Sequence, residues 1–402
     1  MNILLINPSD PNLSDVSPWP HLGLSILATH AASQGHKALV VDYSFSPNAP
    51  PLKNLVTTLS PGLFGVTLYT SQMAQVRRTI QEIRKLSQAP VVIGGPHATL
   101  YAGALAEENL ADWIFRGECD ITFSEQLYRI KRTGRSNIVS SAPPDLSQAT
   151  WPDFDLAMGS SALTTYPIQL SRGCPYSCSF CSVKNISTRR IRTRPLNDCL
   201  DEIDRSIQKN QGIRTVRIVD DCPTFDLDRF KNFLQGYLDR GIRRPLHIDN
   251  LRADKIDVDI LDLLKRIGVD HLCIGVESGD PCVFEMINKG ETLDTIVEAA
   301  KLIRSSGFRL YTCFIIGLPG SSISSELASI RLAKSLKPNW IYWNLFQPHQ
   351  GTSARLWFED NGRIFGEENK NSLIGLTLNE QEAPCDTLDF PAEERKRNGA
   401  LP

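Results

Sequence analysis

Cys174, Cys178 and Cys181 lie in the run R-G-C-P-Y-S-C-S-F-C, directly after the strand-like segment Y-P-I-Q-L-S. With three and then two residues between them, their thiolates can wrap around one inorganic centre on a tight loop. A four-iron cluster usually takes four cysteines, so three leave one iron without a protein ligand and open to a substrate-like ligand. Zinc is a competing reading. Zinc sites commonly join a close pair of ligands to a distant pair, and the sequence offers no matching second pair. Unliganded cysteines serving as small core residues are the other alternative. Spacing and position after a strand favour the cluster.

Such a loop needs a frame. From residue 166 onward, six strand-like runs (TTYPIQLSRG, RTVRIVDD, PLHIDN, VDHLCIGVES, FRLYTCFIIGLPG and NWIYWNLFQP) alternate with amphipathic helical stretches. The pattern predicts a partial (β/α)6 TIM-type barrel, whose chemistry belongs at the carboxyl ends of its strands. Before it, NILLIN, KALVVDY, LFGVTLY, PVVIGG and DWIFRG alternate with helical segments in the manner of a doubly wound, flavodoxin/Rossmann-like parallel sheet. Ligands of such α/β sheets lie beyond the strands' carboxyl ends, here Asn7 to Asp10, Tyr69 to Ser71, Gly94 to His97 and Arg116 to Asp120. The predicted organisation is a first domain over 1–140, a proline-containing linker over 141–165, the barrel over 166–355 and a short, peripheral tail over 356–402.

Composition narrows the function classes. A chain of 402 residues has room for two independent cores, and 41% hydrophobic with 22% charged residues is ordinary for a soluble globular protein. With 43 basic and 45 acidic residues the net charge of -2 provides no field to recruit nucleic acid or an anionic membrane. The N-terminal apolar run stops at Asn7-Pro8 and has no basic residue before it, which predicts a buried strand rather than a signal peptide. No run is long enough for a membrane span, and the expected location is the cytoplasm, where ten cysteines are thiols or ligands rather than disulfides.

The C-x-x-x-C-x-x-C motif after the first strand of a partial barrel resembles the radical S-adenosylmethionine (SAM) superfamily. Its neighbours extend the likeness in order over residues 166 to 355. Phe180 resembles the aromatic residue that packs near adenine, and V-D-D-C-P-T-F resembles the second-strand segment that places Asp220 or Asp221 near the SAM amino group. L-R-A-D puts Arg252 at a strand end, and G-V-E-S-G puts Glu277 and Ser278 where the family contacts the SAM carboxylate or ribose. F-I-I-G-L-P-G, with Ile316 and Gly317, resembles the segment that supports adenine, and P-H-Q-G-T resembles the usual ending of the core. Taken singly, Asp220, Arg252 and Glu277 could equally be structural ion-pair members. Cys222 departs from the commoner pattern.

The first domain resembles the cobalamin-binding domain that precedes many radical SAM barrels. The resemblance implies cobalamin contacts at Tyr69, Thr70, Ser71, Gly94, Gly95, Pro96, His97, Gly117 and Glu118. The D-x-H-x-x-G motif of other cobalamin proteins is absent, which implies cobalamin without a protein histidine on cobalt, and Cys119 replaces a glycine in R-G-E-C-D. The implied activity uses a 4Fe-4S cluster to cleave SAM to a 5'-deoxyadenosyl radical, with cobalamin-dependent methylation of an unactivated carbon of a small molecule as the favoured outcome. The implied electron donor is external, of flavodoxin or ferredoxin type. A cobalamin-dependent cyclase or rearrangement enzyme and a non-catalytic cobalamin or iron-sulfur sensor are the alternatives. The basic run S-T-R-R-I-R-T-R could hold an anionic substrate group and the aromatic residues Trp340, Tyr342 and Trp343 could shape a substrate pocket, but these and the cysteines outside the motif read most simply as ion-pairing, core and small-thiol positions.

Overall fold

The computed structural model describes residues 1–9, 16–132, 136–365 and 383–399, with side chains as far as Arg395; Asp10 and residues 366–382 of the tail lie outside the described residues. The chain divides into two compact units, Met1–Thr165 and Tyr166–Pro402.

The first unit runs β1 (Asn2–Asn7), α1 (Leu22–Ser33), β2 (Lys37–Asp42), α2 (Leu52–Leu59), β3 (Leu63–Thr67), α3 (Met73–Leu86), β4 (Val91–Gly94), α4 (Pro96–Leu100), α5 (Ala102–Glu107), β5 (Trp113–Arg116), α6 (Asp120–Gln126) and β6 (Asn137–Ser140). The strands form one sheet in the order β2-β1-β3-β4-β5-β6, every neighbouring pair parallel. Burial on both faces explains the continuous apolar run of β1. Leu4 and Ile6 pack with Val76, Ile80 and Ile83 of α3, whereas Ile3 and Leu5 pack with Leu24 and Ala28 of α1 and Phe123 of α6. The order reverses between β1 and β3, so the crevice of this sheet opens at their carboxyl ends.

β6 was not expected. It is four residues long, alternates between half-buried and exposed, and forms the sheet edge, so its pattern hardly differs from a loop. The segment expected to link the domains packs on the first sheet. Ala157 bridges to Val40, Ser46 Oγ donates to the Met158 carbonyl at 2.9 Å, and the Asp153 N–H donates to Thr29 Oγ1 at 2.8 Å.

The second unit runs β7 (Thr165–Ile168), β8 (Ser171–Arg172), α7 (Val183–Ile186), β9 (Arg192–Thr193), α8 (Leu196–Lys209), β10 (Thr215–Ile218), α9 (Leu227–Asp239), β11 (Leu246–Ile248), α10 (Val258–Ile267), β12 (His271–Glu277), α11 (Pro281–Met286), α12 (Leu293–Ser305), β13 (Arg309–Ile316), α13 (Ile323–Leu336), β14 (Trp340–Leu345), α14 (Ser353–Asn361), β15 (Arg363–Ile364), β16 (Cys385–Asp386) and α15 (Ala392–Gly399). Two three-stranded sheets, β11-β10-β7 and β12-β13-β14, are joined by a parallel bridge between Leu251 and Ile274, giving the six-stranded partial barrel. Period-2 alternation assigns the faces of β12. Leu272, Ile274 and Val276 are buried toward the helical layer, and His271, Cys273, Gly275 and Glu277 alternate with them.

The described part of the tail is not peripheral. Arg395 of α15 is almost fully buried, donates from Nη1 to the Gly317 carbonyl at 2.8 Å, and lies over the rings of Phe390 and Phe358. Its aliphatic stem and flat guanidinium allow a charged residue to serve there as core. Among the described residues no helix is long and apolar enough to cross a membrane.

Candidate active site

The cluster loop leaves β7, makes the short antiparallel pair β8–β9 with Ser171 opposite Thr193, and carries all three motif cysteines to one cavity of about 600 Å³. Phe180, Asp221, Cys222, Arg252, Glu277 and Lys289 share its wall. None of the three thiols is in a disulfide, and all three are half-buried. Their environments differ. A hydrogen bond with Cys222 draws the Cys174 thiol down to about 7, whereas burial pushes Cys178 up to about 12 and also raises Cys181. Three thiols of one loop on the wall of a cavity of cofactor size fit a cluster that keeps one iron open.

Arg252 acts as a clamp. Its guanidinium lies 3.5 Å from the Tyr176 ring centroid within the cluster loop, and donates to Asp254 Oδ1 at 2.8 Å and to the Lys289 carbonyl at 2.9 Å. Burial opposes its charge, but the Asp254 hydrogen bond and Glu291 outweigh that and raise its pKa. Glu277 sits at the end of β12 beyond a register shift, with φ of +66°. Lys289 Nζ donates to Glu277 Oε1 at 3.1 Å, pairs with Glu291 at 3.1 Å and also reaches the Gly275 carbonyl. Burial pulls the ammonium down and the two carboxylates more than restore it, so it remains a cation in the cavity wall. Glu277, Lys289 and Arg252 give the cavity wall charges of both signs.

Four of the expected SAM contacts stand elsewhere. Asp220 is buried outside the cavity lining, its carboxylate accepting from the Leu170 N–H at 2.7 Å and from Ser171 Oγ at 2.5 Å, and burial raises it to about 7. Its neighbour Asp221 lines the cavity and accepts from the Gly173 N–H at 3.0 Å, as successive residues at a strand end face opposite ways. Ser278 is buried against α13, its Oγ accepting from the Asp280 N–H at 3.2 Å. Ile316 packs with Leu345 and Phe390, and Gly317 is held from both sides, its N–H by Glu326 Oε1 at 3.0 Å and its carbonyl by Arg395. Phe180, Arg252 and Glu277 do line the cavity. Lys289 was missed; the tetrad N-K-G-E that carries it shows no periodicity that marks a site.

In the first unit the residues expected at cobalamin gather at the carboxyl edge of the sheet: Tyr69, Thr70 and Ser71 after β3, Gly94 and Gly95 at the end of β4, Pro96 and His97 opening α4, and Gly117 and Glu118 after β5. Thr70 Oγ1 lies 2.9 Å from His97 Nδ1, and the His97 ring stacks on Tyr101 at 4.4 Å. Gly95 has φ of +103°, and a Cβ there would stand 3.0 Å from Thr67 Oγ1 and 3.1 Å from the Leu68 carbonyl, so the turn can approach β3 only as glycine. His21 caps α1 through Nδ1, which accepts from the Leu24 N–H at 3.1 Å, and its Nε2 lies 3.1 Å from the Tyr69 hydroxyl. Both ring nitrogens are engaged. At the same edge Gln72 Oε1 and Ser141 Oγ are buried without a hydrogen-bond partner, an arrangement suited to a polar ligand such as the corrin amides.

A barrel with a three-cysteine loop at its mouth, preceded by a parallel sheet with a polar crevice, defines a cluster- and corrinoid-binding class. The family model for the radical SAM superfamily matches residues 168–333, and that for the B12 binding domain matches residues 12–127. The chain belongs to the radical SAM superfamily, among its members with a B12 binding domain, and its cofactors are a 4Fe-4S cluster, SAM and cobalamin. It is 24% identical over 380 residues to an uncharacterized methyltransferase of Pyrococcus horikoshii, covering 88% of this chain and 82% of the relative. It is likewise 24% identical over 410 residues to an anaerobic magnesium-protoporphyrin IX monomethyl ester cyclase of Rubrivivax gelatinosus, covering 94% of this chain and 73% of the relative. In fold it resembles the radical SAM methyltransferase TsrM of Kitasatospora setae, solved with cobalamin and a [4Fe-4S] cluster, with a TM-score of 0.72 and 19% identity over 99% of this chain and 81% of that one.

Proposed function

We propose that this protein is a cobalamin-dependent radical SAM methyltransferase acting on an unactivated carbon of a small molecule. The carrying observation is the convergence of Cys174, Cys178 and Cys181 on one cavity with Arg252, Glu277 and Lys289. When bound, the cluster and SAM supply a 5'-deoxyadenosyl radical and cobalamin supplies the methyl group. The chain's own residues bind and orient. The three cysteines hold the cluster; Phe180 offers a ring to adenine; Glu277 and Lys289 present opposite charges to the amino and carboxylate groups of SAM; Arg252 fixes the cluster loop through Tyr176. Tyr69, Thr70, Ser71, Gly94, Gly95, Pro96, His97, Gly117 and Glu118 form the cobalamin edge. The electron comes from an external flavodoxin- or ferredoxin-type donor, and the reaction runs in the cytoplasm.

The cyclase relative, aligned over 94% of the chain, favours a second reading in which cobalamin assists a cyclisation or rearrangement without methyl transfer. Anaerobic reconstitution decides. The expected result is four irons and four sulfides per chain, a bound corrinoid spectrum, and label from methyl-labelled SAM in the product. Loss of the cluster in the Cys174→Ala, Cys178→Ala, Cys181→Ala protein checks the ligands. Cluster retention there would refute the site, and 5'-deoxyadenosine with unlabelled product would favour the second reading.

A further inference from the structure

Barrel interiors are ordinarily filled by layers of branched aliphatic side chains. The cavity below the cluster loop is different. Among the described residues Leu251 is the only aliphatic one on its wall, and apart from Gly275 and Glu277 the positions facing it from β11 to β14 carry rings and thiols. His247 meets His271 edge to face at 5.4 Å, His271 stacks on Tyr311 at 4.5 Å, and Tyr311 meets Tyr342 edge to face at 6.4 Å. Trp340 continues the band at 6.3 Å from Tyr342. Tyr342 and Trp340 remain 45% and 56% exposed, so the band has ring surface free on its outer side. Cys273 and Cys313 stand one strand position nearer the cluster, their Sγ atoms 3.4 Å apart.

We propose that the substrate carries a flat, uncharged aromatic or heteroaromatic ring that enters this lumen and stacks on the tyrosine band, with Tyr342 its principal contact. Three features select that chemistry. First, depth: Gly275 and His271 are four residues apart on one strand, about 13 Å at 3.3 Å per residue, which leaves room for a ring beneath the SAM layer. Second, charge: the wall carries Arg217, Arg252 and Lys289 against Asp221, Asp249 and Glu277, three of each sign, and Arg217 already pairs with Asp249 while Lys289 pairs with Glu277. Burial, helped by His271 and Arg217, lowers the His247 pKa and so disfavours a further cation beside these balanced charges. Third, the exposed tyrosine and indole rings and the paired polarisable thiols favour contact with a π-system over an aliphatic chain.

The inference rests on the barrel being the seat of the radical chemistry but is read by binding, not turnover. The probes are 2-naphthol and its saturated counterpart decahydro-2-naphthol, both neutral and of one shape class. Full-length protein carrying its reconstituted cluster is titrated with 2-naphthol and followed by the probe's fluorescence anisotropy, with the saturated alcohol as competitor. The flat probe is expected to bind about fivefold to tenfold more tightly than the saturated one. Tyr342→Phe keeps this preference, Tyr342→Leu loses it, and Tyr128→Leu, an exposed substitution in the first unit, changes nothing. Absent binding of 2-naphthol, equal affinity of the two alcohols, or an unchanged preference in Tyr342→Leu overturns the proposal. Failure of methyl transfer would show instead as unlabelled product with the binding preference intact.

Discussion

Lys289 is the side chain whose replacement has the largest consequence that can be worked from the structure. Its ammonium sits between Glu277 and Glu291, 3.1 Å from an oxygen of each, and the three side chains are only 7%, 11% and 0% exposed. At an effective dielectric of about 20, each such contact is an attraction of roughly 5 kcal/mol, most of which the cost of burying the charges offsets. Lys289→Met removes the cation, leaving the Glu277 carboxylate without its ion-pair partner and Glu291 with only the Asp254 N–H and Arg252 at 4.0 Å, a change that costs about 3–5 kcal/mol in comparable buried pairs. With a urea m-value of about 3 kcal/mol/M, the unfolding midpoint of the anaerobically handled full chain should fall by about 1 M or more. Adding Glu277→Gln to Lys289→Met removes one orphaned charge and should recover part of the loss, a coupling read by the double-mutant cycle. A midpoint within about 0.2 M of the parent for Lys289→Met, or no recovery in the double variant, would refute the claim that this triad balances charge in the cavity wall.

Glu326 is raised to about 7, chiefly by burial, while accepting from the Gly317 N–H. A carboxyl whose folded pKa exceeds its unfolded value contributes stability that is complete below the unfolded pKa and disappears as pH rises through the folded one. Stability should therefore fall by up to about 3 kcal/mol between roughly pH 4.5 and pH 7.5, and Glu326→Gln should flatten that slope in urea titrations run across the range. Asp220, raised to about 7 by burial, acts in the same direction, so part of the slope survives. Gly317→Ala meets two obstacles, a φ of +82° and a Cβ 2.6 Å from Arg395 Nη1. The expected loss is about 1–3 kcal/mol, read as a lower thermal midpoint. His21→Ala removes an α1 cap and should cost about 1 kcal/mol yet leave the absorption spectrum of bound cobalamin unchanged, because both nitrogens of His21 are engaged inside the protein; a shifted corrinoid band would contradict that.

The parts of the architecture written in strong periodicity were legible in the amino-acid order. Five strands of the first sheet and six of the barrel are continuous or alternating apolar runs, and burial on one or both faces enforces those patterns. β6 escaped because an edge strand with one half-buried face resembles a loop. The gathering of the three motif cysteines on one cavity wall was legible because all three come from one short loop, whereas Lys289 is assembled with Glu277 only by the fold and has no local signature. Asp220 and Asp221 show a further limit. Adjacent carboxylates are equivalent in a motif, and only the direction of the strand end decides that Asp221 faces the cavity while Asp220 ties the start of the cluster loop to β10. Cys273 and Cys313, unremarkable forty residues apart in sequence, meet as diagonal neighbours because β12 and β13 run side by side with Cys313 opposite Gly275 and Cys273 opposite Tyr311.

These placements bear on how the chain divides its labour. Segments around the cavity are fastened by buried groups: Asp220, outside the lining, holds Leu170 and Ser171; Glu326 with Arg395, also outside it, holds Gly317; and Arg252, itself on the wall, holds Tyr176. Each fastener is largely buried, so the loops it holds are set before any ligand arrives, which lowers the ordering cost of binding. In the band of His271, Tyr311, Tyr342 and Trp340, by contrast, Tyr342 and Trp340 stand exposed. On the proposed reading, such a site would fix SAM by the geometry of prearranged loops and select its substrate, through exposed rings, by shape and polarisability. Substitutions in the two groups should therefore separate. Loss of a fastener should weaken SAM binding whatever the substrate, whereas changes along the ring band should alter which substrates bind and leave SAM affinity as it was.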